Sequence, residues 1–510
     1  MRKTVAMASI AFGLLLSSFH AFAEQSWPMY GRNLRHTFTN EHSPINPSTV
    51  LSLKPAWDFT TEDVVTASPS VVDGVVYVGA WDGYFYALDA HSGALIWKFA
   101  VDCQSTIVPI PPRCPQPAET PPRFLSDGGL ITSSAAVVRE RVYFAGGKTV
   151  YSLNARDGSL LWKRVICGNP EEQNCESDPN DRTRIFSSPA VFDGLIFLGH
   201  TVEVNGYRGG FEALDARTGH IVWRFEVDPI VHEQAELISD ARGRQSGGQN
   251  RGCGNVWSSA AVDTTYRLVF FGTADCHDVA EPPYHNAVIA LQADTGRVRW
   301  AFRPDRKGAC DFDFGASPNL IDLGLGRYVG IGGKDGTYYL LDRLTLNPHG
   351  RLVWSARVVF GGDEGGFIGT TAIDGSQVFG ATAIGDGHII NPNPADLCDP
   401  SNPKDTFLQD PSMHAFDLLG RHGPIAWQQP RNYSTAPTTV ANGVVFSGLL
   451  GINTIFGLNA YDERSGVLLK TFAMPGSVNS GATPVGRMLF VGSGTTPDGS
   501  GSGVHAFALP

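Results

Sequence analysis

One pattern recurs along the chain and decides what it can fold into. A small-residue entry leads to a short apolar strand, a turn, a second strand ending near glycine, and a third strand ending in a motif such as Ala87-Leu88-Asp89. A glycine turn follows, and soon after it a tryptophan: Gly93 then Trp97, Gly158 then Trp162, Gly219 then Trp223, Gly296 then Trp300. The copies occupy 68–99, 133–164, 187–225, 258–302, 316–354, 369–427, 436–472 and 482–510. Apolar and polar residues alternate over short segments between Asp-Gly or Gly turns, which predicts four antiparallel strands per copy. Units of this length stack radially, so the chain is expected to be an all-β, eight-bladed β-propeller.

The last copy ends at His505-Ala506-Phe507 without a fourth strand or a tryptophan. Residues 53–59, which contain Trp57, match the missing piece. An N-terminal strand completing the last blade would close the ring and leave no long strand edge exposed. Trp97, Trp162, Trp223, Trp300, Trp354 and Trp427 share one place in the repeat, and Lys470 departs from it. Such regular tryptophans are expected to pack between blades.

Charged residues make up only 17% of the chain, against 58 glycines and 33 prolines, which suits strands and turns rather than long helices. The net charge is −11 and no basic run occurs, so nucleic acid is an unsuitable partner. Arg2 and Lys3, an apolar stretch over 5–16 and Ala21-Phe22-Ala23 read as a signal peptide over 1–23, leaving 24–510 as one exported propeller domain in the periplasm or outside the cell. No later run is apolar enough to span a bilayer. Eight cysteines in an exported chain favour disulfides, with 103–114, 167–175 and 253–276 as the expected pairings. Zinc held by Cys276, His277 and His285 is the rival, though the spacing fits no usual zinc pattern. No CxxCH occurs, so the chain has no c-type haem site of its own.

Blades three to five depart from the repeat. Blade three inserts a segment with His200, Glu203 and Arg208; blade four inserts Asp275, Asp278, Glu281 and His285. Asp311 and Asp313 precede blade five, which carries Lys334-Asp335-Gly336. Carboxylates from neighbouring loops would suit Ca²⁺. Solvated acidic loops are the plainer reading.

At these residues the chain resembles the pyrroloquinoline quinone (PQQ) dehydrogenases, the quinoprotein alcohol dehydrogenases, and in particular their polyvinyl alcohol dehydrogenase-like branch. The resemblance spans the mature chain, from Trp27-Pro28-Met29-Tyr30-Gly31-Arg32-Asn33 to the end. It implies that Glu203, ahead of Gly206-Tyr207-Arg208-Gly209, binds Ca²⁺, with Asp275 where the family has Asn. It puts the catalytic carboxylate at Glu281 or Asp278, with Glu281 also near the metal, and a lanthanide would accept the same ligands. It assigns Trp257, Lys334 and Arg208 to the cofactor, Trp257 as a floor and Lys334 at the quinone oxygens. The adjacent cysteines that cap the cofactor in many relatives are missing here.

The function implied is an exported PQQ- and calcium-dependent dehydrogenase. It would oxidise an alcohol, secondary or polymeric ones included, and pass electrons to an external cytochrome c or quinone. The competing readings are a non-catalytic propeller scaffold in the cell envelope and a sugar-binding or hydrolytic propeller. Residue by residue, the plain alternatives are a core Trp257, a solvated Lys334 and a surface pair of Glu203 with Arg208.

Overall fold

The structure, a computed structural model, describes residues 26–101, 130–168, 183–202, 208–227, 254–274, 284–304, 312–359, 361, 365–383, 412–420, 425–430, 432–451, 456–495 and 499–510. These form eight antiparallel sheets arranged as blades, seven of four strands and one with a fifth strand added. Beyond strands, only a short 3-10 turn, Val50–Ser52, is formed among the described residues. The expected eight-bladed propeller is the fold observed. Among the described residues no helix is long and apolar enough to cross a membrane.

Blade one sets the pattern with Ser70–Val72, Val75–Gly79, Tyr84–Asp89 and Leu95–Ala100. The middle strands are buried because both faces pack on neighbouring blades, so they read as apolar runs. The outer strand is half exposed and keeps the alternation.

Ring closure follows the sequence expectation. Lys54–Thr60 pairs antiparallel with Ser500–Ala508, from Lys54 opposite Ala508 to Thr60 opposite Gly503, and becomes the outer strand of blade eight. Asp58 fixes the register further: its Oδ1 lies 2.6 Å from His505 Nδ1, and His505 Nε2 lies 2.7 Å from Ser493 Oγ.

The tryptophans of the repeat are joints. Trp97 donates its indole N–H to Ala155 O at 3.1 Å, Trp162 to Ala216 O at 3.1 Å, Trp223 to Ala293 O at 2.9 Å and Trp300 to Arg343 O at 3.2 Å, each in the next blade. Trp427 does the same to Glu463 O at 2.8 Å, and Trp57 carries the series from blade eight back to blade one through Ala90 O at 3.0 Å. The glycine of the repeat is explained by the same contact. A Cβ on Gly158 would lie 2.6 Å from the Trp97 ring, and Gly158 has φ +71° as well. Where Lys470 replaces tryptophan, its ammonium donates to Leu51 O and Leu53 O and sits over Phe472.

One feature was not legible in the repeat. Residues 27–40 form a belt beneath the ring. They accept backbone hydrogen bonds from Val71, Val137, Val262, Leu320, Ile373 and Val440, the first strands of blades one, two, four, five, six and seven. Asn40 Nδ2 reaches Pro484 O in blade eight, and Thr39–Asn40 pairs parallel with the first strand of blade seven as its fifth strand. The innermost strands would otherwise present an unpaired edge to the axis. Tyr30 in this belt donates to or accepts from Thr370 Oγ1 at 2.7 Å, and burial raises its phenol above the ordinary range.

Candidate functional site

With the belt closing one end, the axial channel becomes a cavity of about 600 Å³ that, among the described residues, is open at the other. Two rings of residues from the entries to the first strands make most of its lining, joined by Tyr30 of the belt and Trp81. The inner ring is mostly hydroxyl: Ser68 N donates to Ser134 Oγ, Ser134 N to Ser188 Oγ, Ser188 N to Ser259 Oγ, Ser259 N to Ser317 Oγ and Ser317 N to Thr370 Oγ1, each at 2.8–2.9 Å. The repeated Ser/Ala entry of each copy thus stitches blade to blade around the axis. The outer ring carries the individuality. Phe186 and Trp257 are large there, Gly315 is bare, and Thr66, Thr132 and Thr435 are small.

Trp257 therefore faces the cavity and is half-buried, so it is no blade-to-blade core residue. Its ring leans over Gly315, where any Cβ would lie 1.7 Å from the indole. Its Nε1 donates to Asp313 Oδ2 at 3.2 Å. The same oxygen lies 3.6 Å from Lys334 Nζ, with both side chains nearly buried. Lys334 is thus no solvated hairpin residue. Its backbone N–H also donates to Asp313 O at 2.9 Å. Trp257, Asp313 and Lys334 come from blade four, the connection after it, and blade five, and they meet beside the cavity mouth. Asp313 was visible in the sequence as one of two acidic residues between blades, but nothing in the repeat gave it a role.

Asn255 was also passed over. Its Oδ1 accepts Val202 N at 2.7 Å and its backbone O accepts Ala274 N at 2.8 Å. A smaller recess beside it is lined by Phe186, Thr201, Asn255 and Trp257. Two strand ends, one in blade three and one in blade four, are thereby fixed to a residue two positions from Trp257.

Glu203, Asp275, Asp278, Glu281 and the cysteine pair 253 and 276 lie outside the described residues. Among the described residues no group of three or more His, Cys, Asp or Glu is placed to hold a metal. Cys167 is disulfide-bonded, while the remaining cysteines, Cys175 included, fall outside the described residues.

Arg208, assigned to the cofactor by the resemblance, is engaged within its own blade. Its guanidinium pairs with Glu226 Oε2 at 2.8 Å, and its backbone O meets His200 Nε2 at 2.8 Å. His200 in turn lies 3.0 Å from the wholly buried Glu212, whose other oxygen takes Arg224 Nε at 2.9 Å. Burial opposes the charge on Glu212, but His200 and Arg224 outweigh it and hold its carboxyl below the ordinary range.

A serine, histidine and carboxylate do line up at Ser493, His505 and Asp58. Ser493 is fully buried and donates to Gly501 O at 2.6 Å, so no substrate reaches it, and the series serves ring closure.

The model of the glucose/ethanol/alcohol dehydrogenase β-propeller domain, the PQQ propeller, matches residues 27–354. The polyvinylalcohol dehydrogenase of Sphingopyxis sp. (strain 113P3) is 27% identical over 512 residues, covering 88% of this chain and 70% of its own. The chain spans about half the length of other curated relatives, 54% and 52% in two cases. Among solved structures, the quinohemoprotein alcohol dehydrogenase from Comamonas testosteroni has TM-score 0.70 at 19% identity, covering 95% of this chain and 80% of its own. A europium-containing methanol dehydrogenase has TM-score 0.71 at 17% identity, covering 97% and 100%. These two likenesses speak for the propeller alone. Matched by the family model over more than half its length, the chain belongs to the glucose/ethanol/alcohol dehydrogenase family of PQQ β-propellers.

Proposed function

We propose that the chain is a PQQ- and calcium-dependent dehydrogenase that oxidises an alcohol at the open mouth of the axial cavity. The observation that carries the reading is Asp313, whose carboxylate joins Trp257 and Lys334 beside that cavity. The residues present fit the cofactor. Trp257 offers a flat ring, held down by Gly315, for a planar tricycle to stack on. Lys334 keeps an ammonium where it can donate to an oxygen gathering negative charge. Asp313 fixes the orientation of both.

Bound PQQ would supply the two-electron acceptor that protein side chains lack, taking hydride from the alcohol carbon. The hydroxyl proton goes to a carboxylate. Glu281 and Asp278 are the candidates from sequence, and Asp313 joins them as the carboxylate already beside Lys334. Glu203, Asp275 and Glu281 are the proposed oxygen donors to Ca²⁺, a set a lanthanide would also accept. Support comes from Val202 and Ala274, the neighbours of the first two, which both bond to Asn255. Arg208, paired with Glu226, takes the part of an anchor for blade three.

Residues 1–23 are proposed to export the chain to the periplasm or beyond, and an external cytochrome c or quinone is the proposed electron acceptor. The Sphingopyxis relative's name favours secondary and polymeric alcohols as substrates.

The test is reconstitution. Apoprotein is mixed with PQQ and Ca²⁺, dialysed, and assayed for dye reduction with primary, secondary and polymeric alcohols. Retained quinone absorbance with alcohol-dependent dye reduction is expected. Loss of the quinone on dialysis and no dye reduction would return the chain to the scaffold reading.

A further inference from the structure

The tips joining the second and third strands of blades one and five are built alike. Trp81 stands in one where Lys334 stands in the other. Trp81 N donates to Val64 O at 2.9 Å, and Lys334 N donates to Asp313 O at 2.9 Å. Two residues on, Gly83 O accepts Val101 N and Gly336 O accepts Val358 N, both at 2.9 Å. The residue between them is a buried aspartate in each case. Asp82 accepts Tyr86 OH at 2.6 Å and Tyr84 N at 2.9 Å; Asp335 accepts Tyr339 OH at 2.5 Å and Thr337 N at 3.1 Å.

Blades one and five are four apart in a ring of eight, so they face each other across the axis. The same scaffold therefore carries an ammonium, paired with Asp313, on one side of the axis and an indole on the other. The Trp81 indole N–H is used within its own blade, donating to Thr66 Oγ1 at 2.9 Å. What it turns to the cavity is apolar ring, and it lines the same cavity as Trp257.

Trp81 does not fit the joint role of the other tryptophans. Joint indoles rise from outer strands and bond into the next blade. Among the described residues, neither Trp81 nor Trp257 belongs to the apolar clusters that hold the blades together. A large apolar ring at a polar hairpin tip, facing a cavity, is the composition of a ligand wall.

We propose that Trp81 is the second aromatic wall of the pocket and contacts bound PQQ from the side of the axis opposite Lys334. The inference rests on the quinone reading of the cavity. Its test is a dissociation constant, read by equilibrium dialysis with PQQ and Ca²⁺ on the full chain, beside a thermal melt.

W81F keeps a flat ring and is expected to bind within about threefold of the natural protein. W81A is expected to bind about 10- to 100-fold more weakly, the usual effect of removing one stacked ring. W81L fills the space without an aromatic face, guards against collapse of the tip, and should fall at least about fivefold below W81F. Equal dissociation constants for W81L and W81F, with intact melts, would overturn the wall. Should the natural protein itself bind no quinone, the quinone reading falls and takes this one with it; the silent sample then is the natural protein rather than a variant.

Discussion

The two ends of the axial channel are made by opposite strategies. At the belt end a single segment, 27–40, visits blade after blade and receives the same kind of backbone bond from six of the eight. At the open end threonine recurs at Thr66, Thr132 and Thr435, but other blades contribute unlike groups: an indole from Trp257, bare backbone at Gly315 and a second indole at Trp81, with the Lys334 ammonium behind them on Asp313. Repetition of a backbone bond at one end gives rigidity, to which side chains such as Tyr30 and Asn40 add. Variety at the other end, held by that rigid ring, places unlike groups within reach of one another. A propeller can keep its architecture while its mouth changes chemistry because the two ends share few residues.

The sharpest way to break this contrast is to remove the belt. A chain beginning after residue 60 lacks both the belt and the outer strand of blade eight. It should lose cooperative unfolding altogether in calorimetry. A native-like melt from that truncation would mean that the belt is an ornament on a ring that closes without it.

Two tryptophans separate the ends by a crossed effect. Trp97 joins blades one and two, and W97A should destabilise the fold by about 3–5 kcal/mol. Trp257 faces the cavity, so W257A should leave the melt within a few degrees of the natural protein while abolishing retention of PQQ. If both variants lost stability equally, Trp257 would be core after all and the mouth would have no floor.

Asp313 tests the mouth more finely. D313N keeps the shape but removes the charge that Lys334 faces at 3.6 Å. Dye reduction is expected to fall about 10²–10³-fold, in the range for a misdirected catalytic donor, with little change in melting. The indole of Trp257 loses a charged acceptor in the same variant, so its fluorescence should shift. Unchanged turnover would remove Asp313 from the site and leave Glu281 and Asp278 as the candidate bases.

How much of this could be read beforehand follows from the same contrast. The repeat made the blades, the joint tryptophans and the closing strand legible, because packing between identical units needs the same residue at the same place each time. Lys54–Thr60 was recognisable through Trp57 alone. The belt was not, since it follows no repeat: its backbone bonds leave no periodic pattern, and its side-chain contacts, such as Tyr30 to Thr370 and Asn40 to Pro484, each occur once, in a segment with positive φ at Arg32, His36 and Phe38. Near the mouth, Trp257 and Lys334 were singled out by family likeness. Asp313 and Asn255 were not, because their bonds run across a blade boundary, nor was Trp81, whose counterpart lies across the axis. Trp81 in particular looks like one more aromatic in a strand-rich repeat until the matching tip in blade five is set beside it.

The mildest test concerns a joint on the belt side. Glu463 supplies the backbone carbonyl that receives Trp427, and its own carboxyl is pushed up to about 7, first by burial and then by the nearby charge of Asp374. A carboxyl whose folded pKa exceeds its unfolded value of 4.5 favours the folded state while it stays protonated. That contribution is whole below about pH 4.5, shrinks as the pH climbs towards about 7, and changes no further above it. E463Q keeps the backbone bond and cannot ionise, so it should match the natural protein at pH 4 and melt about 1–2 °C higher at pH 8. The gain should be small because the side chain is partly exposed and solvent screens part of the penalty. A gain of the same size at both pH values would point to packing rather than charge, and the joint between blades six and seven would then be as indifferent to pH as the belt beneath it.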